Sequence, residues 1–294
     1  MHSPFVFKLL TECFYKKESK PGFKKVLAFR EALLKDHQVI SVTDFGAGSR
    51  VFSSERRKVS AIAKNAGISK KRALLLNKLT SYLHCKNALE LGTSVGSASA
   101  AIAAENNLQL TTIEGCPETA KIAREYFRKF KLDNITLKVG EFEEVLNGLL
   151  EKTQESRNEK QEKRDKRQNR KDWRTETEDP NKPHTPNHKL LSSFHSPLST
   201  NKPQTINPKP EPDLIYFDGN HQKEASLHYF EKLLPLAHND SVFIFDDIHW
   251  SGEMEEAWEQ IKAHPRVRVS IDTFYWGLVF FRKEQEKEHF TIRL

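Results

Sequence analysis

An α/β fold built on a mostly parallel sheet is predicted for this chain by three observations. Strand-like and helix-like segments alternate from residue 87 to residue 263, with one interruption. A glycine-rich turn, Glu90-Leu91-Gly92-Thr93-Ser94-Val95-Gly96, joins an apolar run to an Ala-rich stretch. The apolar runs that follow each end in an acid: Glu114, Glu141, Asp218 and Asp246. Strand-helix alternation implies parallel pairing through right-handed crossovers. In such sheets ligands bind beyond the carboxyl ends of the strands.

The elements follow in order. Residues 1–80 read as a helical cap, with amphipathic helices over Pro4–Phe14 and Phe23–Leu34 and one or two more over Lys58–Tyr82. This part is expected to cover the carboxyl edge of the sheet, one of its faces, or both. Residues 81–150 and 212–294 form the α/β domain. Ala88–Leu91 is a short buried strand, and Ser97–Ala104 a helix. Leu108–Ile113 is a strand, and Pro117 opens a helix running through Thr119–Phe130. Ile135–Val139 is a strand and Glu141–Leu150 a helix. Leu214–Phe217 and Lys223–Leu236 make the next strand and helix, then Val242–Phe245 and Glu253–Ala263, stopped by Pro265. Val267–Ile271 and Gly277–Phe281 lack an intervening helix, so they are expected to pair antiparallel around Thr273–Trp276.

Residues 151–211 break the pattern. Glu151 to Arg170 reads EKTQESRNEKQEKRDKRQNR, with no apolar side chain, and a Pro, Asn, His, Ser and Thr mixture follows. Such a stretch buries too little apolar surface to offset chain entropy, so a disordered insertion is expected. Loop-closure entropy grows slowly with length, so a surface loop tolerates this expansion. The alternative is a basic tether for RNA or a protein partner.

The chain has 294 residues, a net charge of +7 and 37% hydrophobic residues. Much of the positive charge lies in the insertion, so it says little about the folded part. No apolar run approaches the ~18 residues of a membrane span. Cys13, Cys85 and Cys116 fit no metal or redox spacing. Their odd number, without a secretory leader, points to a reducing cytoplasm.

Two glycine turns compete for a ligand. Asp44-Phe45-Gly46-Ala47-Gly48-Ser49 is followed by polar sequence, so it reads as a turn or lid. Gly92 and Gly96 are followed by a helix whose N–H groups would face a ligand. Position 94 is Ser, which departs from the dinucleotide fingerprint and disfavours pyrophosphate. Glu114 ends the next strand, where an acid accepts both hydrogen bonds of a ribose diol. Gly140-Glu141 ends the third. Asp218-Gly219-Asn220-His221 and Asp246-Asp247-Ile248-His249 end the fourth and fifth, and bring three carboxylates to one mouth. Mutual repulsion there raises a pKa or recruits a hard cation such as Mg2+, unless Asp246 and Asp247 simply cap the next helix.

These residues together resemble the class I S-adenosylmethionine-dependent methyltransferases, over about Asn87 to Lys283 minus the insertion. The resemblance implies a Rossmann-like seven-stranded sheet with helices on both faces and an antiparallel terminal hairpin. It implies S-adenosylmethionine as cofactor. Glu90, Gly92, Thr93, Ser94 and Gly96 would hold its methionine part and Glu114 its ribose. Gly140 and Glu141 would lie near the adenine, with Asp218 completing the set. D-G-N-H followed by F-D-D is similar to the metal-assisted O-methyltransferases, although Asp247 stands where the catechol branch carries Asn. In that branch Asp218, Asp246 and Asp247 would bind Mg2+, and Asp218, His221 or His249 would take the proton. Asp218-Gly219-Asn220-His221 lacks the Pro-Pro-aromatic run of amino-group methyltransferases, so a small hydroxylated acceptor is expected. RNA or protein methylation through the insertion, and a non-catalytic cofactor-binding protein, are the alternatives.

Overall fold

A computed structural model describes residues 3–43, 54–151 and 211–294, together with residues 154, 155, 158, 162 and 166. The chain divides into two compact units, one of Met1–Asn147 with Pro210–Leu294 and one of Gly148–Lys209.

The first unit opens with α1 (Pro4–Lys8), capped by the Ser3 hydroxyl and continued by a wider π turn over Leu9–Phe14. α2 (Pro21–Leu34), α3 (Val59–Asn65) and α4 (Lys70–Tyr82) complete the N-terminal helices, with a short antiparallel pair of β1 (Val39–Ser41) and β2 (Arg56–Lys58) between them. The alternation then runs β3 (Asn87–Leu91), α5 (Ser97–Ala103), β4 (Gln109–Glu114), α6 (Pro117–Lys129), β5 (Ile135–Val139) and α7, which begins at residue 142. After the insertion come β6 (Leu214–Phe217), α8 (Lys223–Leu233), β7 (Val242–Asp246), α9 (Gly252–Ala263), β8 (Val269–Asp272), β9 (Trp276–Phe280) and β10 (Glu288–Thr291).

The main sheet has the order β10-β8-β9-β7-β6-β3-β4-β5. β3, β4, β5, β6 and β7 are parallel, and β9 runs antiparallel between β7 and β8. The Rossmann-like parallel sheet and terminal hairpin are as expected. The strand count is corrected from seven to eight: β10 adds a parallel edge beside β8. Its sequence, EHFT, carries one apolar residue, Phe290, and only its burial alternates, so it is too short to stand out.

The central strands β6, β7 and β9 are buried throughout, because helices cover both faces. α5 is built only of Ser, Ala and Ile and is wholly buried, so helices approach it closely. On that side α4 lays Asn77 against its end, donating to the carbonyls of Ala101 and Ala104 at 2.9 and 2.8 Å. Those carbonyls lack helical partners of their own, so the buried amide satisfies them. The N-terminal helices thus cover a sheet face and share its core through Phe29, Leu33, Leu76 and Leu79.

The glycine turn at 44–49 lies outside the described residues, as does most of the insertion. In the second unit residues 148–151, 154, 155, 158, 162 and 166 are helical, with Lys166 pairing Glu162 one turn back at 3.5 Å. Pairs of that spacing support an exposed helix. Cys13, Cys85 and Cys116 are buried and unpaired, and burial pushes the thiols of Cys13 and Cys85 up to about 12. Among the described residues, no helix is long and apolar enough to cross a membrane.

Candidate active site

The carboxyl edge of the sheet gathers the strand-end residues. β3 runs into Gly92 at φ +100°, where a Cβ would overlap the backbone oxygen of Asp218 beyond β6. Only a glycine allows the two strand ends to lie backbone against backbone. The N–H groups of Gly92 and Thr93 both donate to the Ile113 carbonyl, at 3.0 and 3.1 Å. Ser94 follows at φ +48°, and Gly96 at φ +88° precedes α5. Glu114 orients this loop: its carboxylate accepts from the backbone N–H of Ser94 at 2.6 Å and of Cys116 at 2.9 Å. The hydroxyls of Thr93 and Thr112 meet at 2.5 Å beneath it.

Glu90 is the unusual member. Its side chain is 0% exposed and accepts from the Ser99 hydroxyl at 2.5 Å. Burial pushes its carboxyl up to about 7, against hydrogen bonds from Ser99 and Thr112. Its other oxygen has no partner in the protein. Among the described residues the same holds for the buried Oδ1 of Asn220 and two indole nitrogens, those of Trp258 and Trp276. A buried polar atom without a partner costs about 1–3 kcal/mol, so two such oxygens at neighbouring strand ends point to donors supplied by a ligand.

Backbone strain concentrates at the same edge. Positive φ occurs at Ser94, Asn220, Asp247 and Phe274, each in a loop after β3, β6, β7 or β8. The remaining such residues, His84, Glu105 and Lys131, follow helix ends, where a left-handed residue is an ordinary terminator. Left-handed side-chain-bearing residues cost about 1–3 kcal/mol each and persist where the surroundings impose them. At the far side of the edge Gly140 donates to the Glu114 carbonyl at 3.0 Å, and Glu141 beside it is exposed.

Asp218, Asp246 and Asp247 do share one mouth, but not around a cation site. Asp246, 5% exposed, accepts from the Arg72 guanidinium on one oxygen at 2.7 Å and from the Tyr216 hydroxyl on the other at 2.9 Å. Arg72 also lies 4.0 Å from Asp247 and 4.8 Å over the Tyr275 ring. Among the described residues, no group of three or more His, Cys, Asp or Glu side chains could hold a metal ion. The expected three-carboxylate Mg2+ site is not formed among the described residues: both oxygens of Asp246 accept from protein donors, and Arg72 of α4 brings a positive charge. The helix-capping alternative fails too, since Ser251 caps α9 by accepting from the Met254 N–H at 3.2 Å.

The carboxyl of Asp218 is raised well above its ordinary value by burial and by Asp246, Asp247 and Glu90, with Arg72 opposing. Its Oδ1 lies 4.0 Å from His221 Nε2. Burial and Asp246 likewise raise Asp247. His249 is held by carboxylates of its own. Its two ring nitrogens meet Glu255 and Asp272, each at 2.9 Å. Burial disfavours charge on the ring, but these two hydrogen bonds outweigh it and raise its pKa. His249 braces the hairpin turn, stacking on Phe274 at 5.4 Å. Phe274 and Tyr275 are 62% and 52% exposed at the rim.

Sequence reasoning missed Arg72, Tyr216 and the strained Asn220. One signal for Arg72 was present. α4 starts Ser69-Lys70-Lys71-Arg72, a wholly basic first turn with no acid. The macrodipole disfavours cations there, so such a turn points to anions nearby.

A family model described as Methyltransferase domain matches residues 89–248, more than half of the chain. No curated protein sequence matches it. Among solved structures, the chain is similar to the SAH-bound methyltransferase PaMTH1 of Podospora anserina, at 13% identity and a TM-score of 0.54, covering 96% of this chain and 97% of that one. It is similar to the cofactor-bound Rv0187 from MTB at 14% identity and a TM-score of 0.50, covering 95% and 96%. At these identities the likeness is one of fold.

Proposed function

The chain belongs to the methyltransferase domain family, and on that premise we propose that it transfers a methyl group from S-adenosylmethionine to an oxygen of a small hydroxylated molecule. The cofactor assignment rests on one observation above all: the buried, half-partnered carboxylate of Glu90 under a left-handed loop. A cationic ammonium is the partner such an oxygen needs, because charge-assisted hydrogen bonds are strongest where water is excluded. S-adenosylmethionine supplies both that ammonium and a methyl group on a cationic sulfur. Gly92, Thr93, Ser94 and Gly96 hold its methionine part with Glu90. Glu114, fixed by two backbone N–H groups, receives the ribose hydroxyls, and Gly140 and Glu141 border the adenine.

The remaining work is positioning and deprotonation. Methyl transfer needs in-line approach of the nucleophile, so much of the acceleration comes from holding two molecules aligned. Asp218, whose pKa is raised by burial and by its neighbouring carboxylates, accepts the acceptor hydroxyl proton, and His221 beside it relays the proton outward. A carboxyl and an imidazole suit a hydroxyl, which must lose its proton to become nucleophilic. His249 takes no part as base, since both ring nitrogens serve carboxylates.

Glu114→Ala tests the cofactor assignment. The variant should bind S-adenosylhomocysteine more weakly by about 1–3 kcal/mol, roughly 5- to 150-fold. Calorimetry reads this directly, and unchanged affinity would remove Glu114 from the ribose site. A panel of phenols and sugars offered with S-adenosylmethionine then identifies the acceptor.

A further inference from the structure

We propose that Arg72 is the resident cation of the acceptor mouth, a positioning residue that takes the place of a divalent metal. The inference rests on the methyltransferase reading for its purpose, but its geometry stands independently. Arg72 arrives from the N-terminal helices, 174 positions from Asp246, and donates to Asp246 Oδ1 at 2.7 Å. The second oxygen of Asp246 accepts from Tyr216 and is equally committed. Asp247 lies 4.0 Å from the same guanidinium, and Asp218 feels its charge. The Tyr275 ring covers the guanidinium at 4.8 Å. Arg72 is thus held from two sides at the mouth, with its side chain one-fifth exposed.

The first turn of α4 is anchored as well. Ser69 caps the helix by accepting from the Arg72 N–H at 3.4 Å, which fixes the first turn from which the guanidinium projects. Three acids converging on one mouth would otherwise repel one another and call for a metal or a shared proton. A guanidinium suits the task because it stays charged at every accessible pH and binds carboxylates through a rigid fork. It carries five donors, of which Asp246 engages one in this structure, so the group that pins Asp246 can also meet an acceptor oxygen.

Mn2+ titration followed by electron paramagnetic resonance, on the full chain, tests the proposal. The wild-type protein should leave Mn2+ free at millimolar concentration, and activity should be indifferent to EDTA. Arg72→Ala vacates the position among the carboxylates, and should gain Mn2+ affinity by roughly tenfold or more. That gain should vanish in Arg72→Ala with Asp246→Asn. Arg72→Lys keeps a charge and should stay free of Mn2+. Stoichiometric Mn2+ binding by the wild type, lost on Asp246→Asn, would overturn the proposal, and this arm needs no Arg72 variant to fold. A folded Arg72→Ala protein that binds S-adenosylhomocysteine but gains no Mn2+ affinity would also overturn it. Failure of the methyltransferase reading would instead show as absent S-adenosylhomocysteine binding by the wild type, which leaves the metal result standing.

Discussion

Asp218→Asn should lower turnover by about 10²–10⁴-fold, the usual contribution of a positioned proton acceptor, while S-adenosylhomocysteine still binds. The same variant should be more stable than the wild type at neutral and alkaline pH. The folded protein holds Asp218 well above its ordinary pKa through burial and through Asp246, Asp247 and Glu90. A carboxyl with a raised folded pKa contributes stability that is fully present below its unfolded value of about 3.9. That contribution is lost as pH rises through the folded value, above which the ionised group costs stability. Asn removes the cost, so the melting temperatures of variant and wild type should separate as pH increases and converge in acid. A variant that is less active and equally less stable at all pH values would mean that Asp218 only builds the loop.

Gly92→Ala should be the most damaging single change at the site. Alanine brings a Cβ onto the Asp218 carbonyl at a φ of +100°, so overlap and backbone strain add. Together they should cost about 2–5 kcal/mol. Thermal unfolding should fall by roughly 2–4 °C per kcal/mol for a unit of this size. S-adenosylhomocysteine affinity should fall with it, because the turn that presents Thr93 and Ser94 is the one distorted. A stable Gly92→Ala protein with intact binding would separate the loop from the cofactor.

The parts of the fold that local sequence determines were legible. β3, the glycine loop and α5 follow from an apolar run, two glycines and an Ala-rich stretch. The β8–β9 hairpin follows from two apolar runs with no helix between them. The acids at the ends of β4, β6 and β7 were visible because strands end where polar residues begin. What the carboxylates meet was not visible. The Arg72–Asp246 pair joins positions 174 apart, and no periodic pattern encodes so distant a contact. Sequence reasoning placed Asp246 beside a metal and did not foresee the guanidinium that meets it. The partners of His249 were hidden for the same reason: Glu255 and Asp272 lie on a helix and a strand that only the fold brings together. β10 was missed because a four-residue edge strand shows too little alternation.

These two sites of strain and charge share a logic. The unsatisfied oxygens of Glu90 and Asn220 await donors, whereas the Asp246 carboxylate already has them. On the proposed reading, the half of the edge near β3 and β4 receives a cationic and ribose-bearing ligand, and the half near β6 and β7 holds the acceptor beside Arg72. Calorimetric titration of the wild-type protein with S-adenosylmethionine, beside a parallel titration with NAD, tests this account most directly. Saturable binding of one S-adenosylmethionine per chain, weakened by Glu90→Gln and absent for NAD, is the predicted result; no binding, or binding that ignores Glu90, would contradict it.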